Sequence, residues 1–407
     1  MMKKNNTMII KLKYLIYVVV TCLVMTGSLS AALPWLHTEG GHIVDEQGKR
    51  VLLRGVNLGG WLVEEMWMVP FKTQPPHGAP FQQIKDHDSL WRCLTQRFGQ
   101  NEMESMRHAF RENWLQESDF KRIRAAGFNC VRLPFLYDLE TEALGLFYWL
   151  DTAVEAASRH GLYVILDMHG TPGRQSNEPH TGKEQNNQLF QDRALVQRTM
   201  DVWAKIAEHY KNCPTVAGYD LMNEPMGAPN HATLYLVQDH IYRVIRQRDP
   251  RHLIFIEDGF KGIEHMPHPH IADWQNVVLS IHFYPRHANA MEEFLQKILR
   301  FTAALRMKRM PLYLGEFNVE PHGNAQGMKR FVNVLQADGI SWSMWTYKTT
   351  GHKAKRSLWG LYCAPKKLEK VNPFKDSKKE IYKKIKQYRT EHCEANQELI
   401  RLFQETK

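Results

Sequence analysis

The 407 residues are 43% apolar, 24% charged and 11% aromatic, which gives length for a large core and excludes a disordered or low-complexity chain. Past the N-terminus no uncharged apolar run reaches the roughly 20 residues of a membrane span, so a polytopic membrane protein is excluded as well. The formal charge of +10 sits at the ends: residues 1–32 hold four Lys and no acid, and residues 364–407 hold 12 basic against 7 acidic residues. The near-neutral body between them argues against nucleic acid as a partner, because phosphate binding needs cations on the surface that does the chemistry.

At the start, Lys3, Lys4, Lys11 and Lys13 precede an apolar run from Tyr14 to Met25 and the small residues Ser28-Leu-Ser-Ala-Ala32. This is the pattern of a signal peptide over 1–32 and hence of a secreted or periplasmic protein, or of an anchored one if the segment is not cleaved. Its removal leaves Cys93, Cys130, Cys213, Cys363 and Cys393, an odd number without zinc spacing, which read as buried structural thiols.

Eight short apolar runs follow: Val51–Leu58, Asn129–Leu133, Leu162–Met168, Gly218–Met222, Leu253–Ile256, Val277–Phe283, Leu312–Leu314 and Ile340–Met344. Between them Leu115–Ala126, Trp149–Arg159, Leu195–Tyr210, Leu234–Arg248 and Ala290–Leu305 repeat apolar residues at helical spacing. Near-continuous apolar strands alternating with helices imply a parallel sheet covered on both faces. Eight such units predict an α/β fold, a closed (β/α)8 TIM barrel over residues 33–363. No Gly-x-Gly-x-x-Gly follows the first strand, which argues against an open dinucleotide-binding sheet. Residues 364–407 turn polar and Lys-rich, with Ile381, Ile385 and Tyr388 at helical spacing, and predict a basic helical extension laid on the barrel.

In such a barrel the reactive groups stand where strands end. The first run ends in Arg54-Gly-Val-Asn57-Leu-Gly-Gly-Trp61, the second in Val131-Arg132-Leu-Pro, the third in Asp167-Met-His169 and the fourth in Asp220-Leu-Met-Asn223-Glu224. The sixth ends in His282-Phe-Tyr284, the seventh in Gly315-Glu316-Phe-Asn and the eighth in Trp342-Ser-Met-Trp345. Two carboxylates in a cup of Trp, His, Asn and Arg fit glycosidic hydrolysis. One carboxyl protonates the leaving oxygen, the other stabilises the oxocarbenium-like centre, and Trp faces stack on sugar rings. Tips of the fourth and seventh strands face each other across an eight-stranded barrel, so Glu224 and Glu316 converge on one substrate.

At these residues the chain resembles glycoside hydrolase family 5, the cellulase-like family of clan A. Arg132, His169, Asn223-Glu224, His282-Phe-Tyr284, Glu316 and Trp345 match its strand-end pattern in order, from about Val51 to Tyr347. Leu53-Arg-Gly-Val-Asn-Leu-Gly-Gly-Trp61, Trp114-Leu-Gln-Glu-Ser-Asp-Phe120 and His169-Gly-Thr-Pro-Gly-Arg-Gln175 are similar to its exo-β-1,3-glucanase branch. Residues 176–182 and Phe317-Asn318 depart from that branch, which leaves the linkage open.

The resemblance implies a retaining double displacement on a β-glucan, β-1,3 or β-1,4. Glu224 would be the acid/base with a raised pKa, and Glu316 the nucleophile kept ionised by Arg132. Arg132, His169, Asn223, His282, Tyr284 and Trp345 would line the reacting sugar, and Glu65 would grip a non-reducing-end sugar. No cofactor is needed, since side chains supply both proton and nucleophile. A β-linked oligo- or polysaccharide is the expected partner, on a monomer. The rivals are a carbohydrate-binding pseudoenzyme, against which both Glu are retained, and a transglycosylase on the same barrel. No Gly-x-Ser-x-Gly, His-Glu-x-x-His or Gly-x-x-x-x-Gly-Lys occurs, which disfavours serine hydrolases, zinc hydrolases and nucleotide triphosphatases. His265, His268 and His270 read as a solvated loop rather than a metal site.

Overall fold

In the computed structural model, which describes residues 32–350, 358–365 and 367–406, the body opens with a hairpin of β1 (Leu36–Glu39) on β2 (His42–Asp45). Its turn needs Gly40 and Gly41, whose φ values of 56° and 83° most side chains avoid. The export segment read over 1–32 lies outside the described residues, apart from Ala32.

All eight expected runs form strands, bounded by a few residues more or less. They are β3 (Arg54–Asn57), β4 (Cys130–Leu136), β5 (Tyr163–Gly170), β6 (Val216–Asp220), β7 (Leu253–Glu257), β8 (Val277–Phe283), β9 (Leu312–Phe317) and β10 (Ser341–Met344). Each pairs in parallel with the next, and β10 closes on β3 through Trp342 opposite Arg54, making an eight-stranded barrel. Helices Glu117–Ala125, Phe147–Arg159, Arg193–Tyr210, His231–Arg246 and Ala290–Met307 fill the crossovers where helical spacing predicted them, and Ala325–Ala337 follows β9. Among the described residues no helix is long and apolar enough to cross a membrane.

Both faces of these strands are buried, yet the period of two persists. Val131, Val164, Leu166, Ile254, Ile256 and Leu279 pack outward into the large core shared with the helices. Cys130, Tyr163, Ile165, Leu253, Phe255, Val278 and Tyr313 form a second apolar cluster that Leu36 and Ile43 of the hairpin join. The hairpin therefore stoppers the N-terminal end of the barrel, and Tyr163 donates to the Pro34 carbonyl there at 2.9 Å.

The basic C-terminal segment contains helices Lys378–Ile385 and Gln397–Glu405 and belongs to the same compact unit as the barrel. Short strands β11 (Lys348–Thr349), β12 (Tyr362–Cys363) and β13 (Glu394–Ala395) link it to the barrel's last strand. Lys348 is wholly buried and its ammonium donates to the Trp114 and Tyr388 carbonyls and to Thr390 Oγ1, tying the segment down without a carboxylate partner. Cys93, Cys130 and Cys363 are buried and Cys213 and Cys393 half-buried, all five as free thiols.

Candidate active site

Two residues above Cys130, Ile165, Phe255 and Val278 of the lower cluster, the inward face turns polar. Cys130 is followed by Arg132, Ile165 by Asp167 and His169, Phe255 by Glu257, and Val278 by Ser280 and His282. Arg132, fully buried, is the hub. Its guanidinium reaches Asp220 at 2.9 Å, Asp167 at 3.2 Å, Glu257 at 3.3 Å and Glu316 at 2.7 Å, and donates to Asn57 Oδ1 and Asn223 Oδ1 at 3.1 and 2.9 Å. One cation cannot fully compensate four buried anions. Burial accordingly lifts the Asp167 and Asp220 carboxyls to about 6 despite Arg132.

Above this hub stand Glu224 and Glu316. Glu316 Oε1 takes Arg132, and Oε2 accepts the Tyr284 hydroxyl at 2.8 Å, so both oxygens are fixed. An oxygen of Glu224 and one of Glu316 lie within 4.8 Å of each other and of a His282 ring nitrogen. That spacing suits a nucleophile and an acid on one glycosidic bond. Glu224 adopts φ 43°, a left-handed conformation uncommon outside glycine and frequent at functional sites. Gln175 locks the loop below it, donating to the His169 and Asn223 carbonyls at 2.8 and 2.6 Å.

The electrostatics differ from the sequence-based expectation at one point. Burial pushes the Glu224 carboxyl up, but the imidazoles of His180, 3.5 Å from Oε2, and His282, 2.8 Å from Oε1, outweigh it and hold it down at about 2. The expected raised pKa is thus reversed, because two histidines rather than a negative neighbour dominate. His282 itself is raised: burial opposes its charge, but Glu257 and Glu316 facing the ring more than offset that. His169, by contrast, is driven to the neutral form chiefly by burial.

The carboxylates face a cavity of about 620 Å³. Its walls include Trp345, stacked on His169 at 5.6 Å, and an aromatic run in which Tyr284 stacks on Trp359 at 5.8 Å and Trp359 meets Trp67 edge-on at 5.4 Å. Glu65 lines the same wall, accepting from Trp67 Nε1 at 2.9 Å, and burial raises its carboxyl to about 8 with Glu316 and Glu224 adding to the effect.

A family model described as Cellulase (glycosyl hydrolase family 5) matches residues 95–351. The chain belongs to glycosyl hydrolase family 5. It is thus an O-glycoside hydrolase working by double displacement through two carboxylates. A beta-xylosidase of Phanerodontia chrysosporium is 29% identical over 360 residues, covering 78% of this chain and 72% of that protein. A probable glucan 1,3-beta-glucosidase A of Aspergillus niger is 31% identical over 248 residues, 58% of this chain and 56% of that one, so this match spans just over half its length. Among solved structures, an endogalactoceramidase (TM-score 0.56, 23% identity, 78% and 76% of the two chains) shares the fold. So does the catalytic domain of a Thermobifida fusca endoglucanase (TM-score 0.54, 18% identity, 86% and 96%).

In this family 5 hydrolase eight of the nine expected site residues line the cavity: Glu65, His169, Asn223, Glu224, His282, Tyr284, Glu316 and Trp345. Arg132 does not. It lies beneath the floor with no exposed surface, so it holds Glu316 and Asn223 instead of touching substrate. Sequence reading missed Trp67, Glu178, His180, Phe260, Arg286 and Trp359 on the walls, and Glu257 and Asn57 beneath them. Glu178 and His180 come from the departing stretch 176–182, where a loop carries no periodicity to read. Residues 71–89 contribute none of the lining side chains, and His87 among them binds Glu64 inside the core. The histidine loop behaves as a structural turn, with His265 stacked on His231 at 3.8 Å and His268 capping the short helix Pro269–Ala272. Trp91, Trp203 and Trp274 hydrogen-bond inside the body, to Glu64, Leu221 and Asp239.

Proposed function

We propose that the protein is an exported retaining β-glucosidase acting on β-glucan, β-1,3 linkages in preference to β-1,4. The observation that carries the reading is the pair Glu224 and Glu316, oxygens within 4.8 Å, one facing histidines and the other fixed by Arg132 and Tyr284. The strand-end motifs of the exo-β-1,3-glucanase branch and the relatives named glucan 1,3-beta-glucosidase favour the linkage. The basic, then apolar, then small-residue N-terminus favours export.

In this reading a glucosyl unit lies on Trp345, with Glu65 and Trp67 at its far side. Glu316 attacks the anomeric carbon while Glu224 gives its proton to the departing oxygen. Water then attacks the anomeric carbon, Glu224 takes one of its protons, and the bond from the sugar to Glu316 breaks. Asn223, whose Oδ1 is occupied by Arg132, has its amide N–H groups left to donate to the sugar 2-hydroxyl. Tyr284 and Arg132 hold the two Glu316 oxygens in place for the attack.

The test is sugar release from β-1,3-glucan, β-1,4-glucan, β-mannan and glucosylceramide by the mature protein beside Glu316→Ala. Glucose from β-1,3-glucan, lost in the variant, is expected. Release that survives in Glu316→Ala would overturn the nucleophile, and release only from another substrate would overturn the linkage.

A further inference from the structure

Glu257 closes β7 beneath the cavity, and the chemistry above does not use it. Its side chain is 3% exposed, yet every group aimed at it is a donor. Arg132 Nη2 donates to Oε1 at 3.3 Å, the backbone N–H of Glu224 donates to Oε2 at 2.7 Å, and His282 Nε2 stands 3.2 Å from Oε1. Burial and the nearby Asp220 push its carboxyl up to about 8 against the pull of His282 and Arg132, but the three contacts it makes are all to donors, which fits a carboxylate. The His282 ring nitrogens therefore each face a carboxylate oxygen: Nε2 that of Glu257, Nδ1 that of Glu224 at 2.8 Å. Gln238 fixes the Glu257 backbone from behind, donating to its carbonyl at 2.9 Å and accepting from its N–H at 3.1 Å.

We propose that Glu257 is a positioning residue that makes His282 the proton store for Glu224. With a proton favoured on Nε2 by the Glu257 charge 3.2 Å away, the other moves between Nδ1 and Glu224 Oε1 over one hydrogen bond. In one form Glu257 is an anion, His282 an imidazolium and Glu224 an anion; in the other Glu257 is an anion and both His282 and Glu224 are neutral. The charge of the three groups is the same in both, so Glu224 becomes an acid without a proton from solvent. The pull of His180 and His282 on the Glu224 carboxyl favours the first form before a leaving oxygen is bound. A bound leaving oxygen draws the proton onto Glu224 and over to itself. The second arm of Glu257, on the backbone N–H of Glu224, holds the left-handed φ that aims this carboxyl. This inference rests on the acid/base reading of Glu224.

The charged groups around the imidazole are Glu224 after β6, Glu257 and Asp258 at the end of β7, Glu316 on β9, and Arg132 of β4 with Asp167 and Asp220. His169 of β5 and His180 of the loop after it complete the set.

Glu257→Gln keeps the shape and removes the charge. The experiment measures kcat/KM on a β-1,3-linked glucose disaccharide, whose leaving alcohol needs a proton, and on 2,4-dinitrophenyl β-glucoside, whose leaving group needs none. The expected loss on the disaccharide is at least tenfold greater than on the aryl glucoside. The alkaline limb of the disaccharide profile moves to lower pH, because His282 without the Glu257 anion gives up its proton sooner. Equal losses on both substrates, or an unmoved alkaline limb, would overturn the proposal. Glu257→Asp, which keeps the charge but withdraws it from the ring, carries the same comparison if Glu257→Gln does not fold. If the unaltered protein cleaved neither substrate, the glucosidase reading itself would fall, and this proposal with it.

Discussion

On β4, Cys130 lies low in the barrel interior and Arg132 above it; on β7, Leu253 and Phe255 lie below Glu257; on β8, Val278 lies below His282. The lower layer is apolar, sealed by Leu36 and Ile43 of the hairpin, and each of its large side chains contributes about 1.5–3 kcal/mol by leaving water. The upper layer puts four carboxylates around one guanidinium. Buried ion pairs of this kind roughly break even at best. The two ends of one barrel thus divide the work: the lower layer supplies stability, and the upper spends it on chemistry.

Glu316→Gln breaks the chemistry most cleanly. The expected loss in kcat is roughly 10⁴-fold or more, since the covalent step has no other nucleophile. The protein stays folded, because Arg132 keeps Asp167, Asp220 and Glu257 as partners. Sugar release and thermal unfolding of the same sample separate the two effects.

Arg132→Met and Phe255→Ala sharpen the contrast as a pair. Removing the guanidinium leaves three carboxylates beside Glu316 without their cation, a cost of about 3–5 kcal/mol, and activity goes with it. Truncating Phe255, fully buried against Tyr313 at 5.0 Å, also costs about 3–5 kcal/mol. There kcat below the new melting temperature stays that of the unaltered protein. Denaturant unfolding alongside kcat checks both. A Phe255→Ala protein as stable as the parent, or one with a tenfold lower kcat, would mean that the layers are not separable.

This layering also explains which residues a reader of the sequence finds. The eight strands were legible because parallel barrel strands are buried on both faces and appear as short apolar runs between helical periods. Arg132, His169, Glu224, His282 and Glu316 were legible because each interrupts such a run at its end. Glu257 was equally well placed, two residues beyond Phe255, but Glu257-Asp258-Gly259 reads as the turn that ends a strand, so its inward register was overlooked. The hairpin that stoppers the barrel precedes the first recognised run and is only four residues a strand. Trp67, His180 and Trp359 stand on loops, whose course depends on contacts far away in sequence. The Glu224 pKa was misjudged because His180, the largest influence lowering it, comes from such a loop.

The sign of the pH dependence also sets Asp167 and Asp220 beneath the site apart from Asp249 at the other end. Asp167 and Asp220, lifted by burial to about 6, bind protons in the folded state that the unfolded chain has released. Through these two carboxyls stability falls as pH rises from about 4 to 6. Asp249, in the loop entering β7 at the opposite end, has the reverse sign. Burial alone would raise its carboxyl, but it accepts from His252 Nδ1, from Tyr219 at 2.7 Å and from the Arg251 N–H at 2.9 Å, and is held at about 2. Its contribution is fully present above its unfolded pKa of about 4 and is lost as pH falls through about 2. Asp249→Asn is expected to lower stability by about 2 kcal/mol at pH 7, and the gap to the parent should close between pH 4 and 2. Equilibrium unfolding of both proteins across that range checks it. A gap that persists unchanged to pH 2 would make Asp249 a neutral hydrogen-bonding group rather than the lower end's stabilising charge.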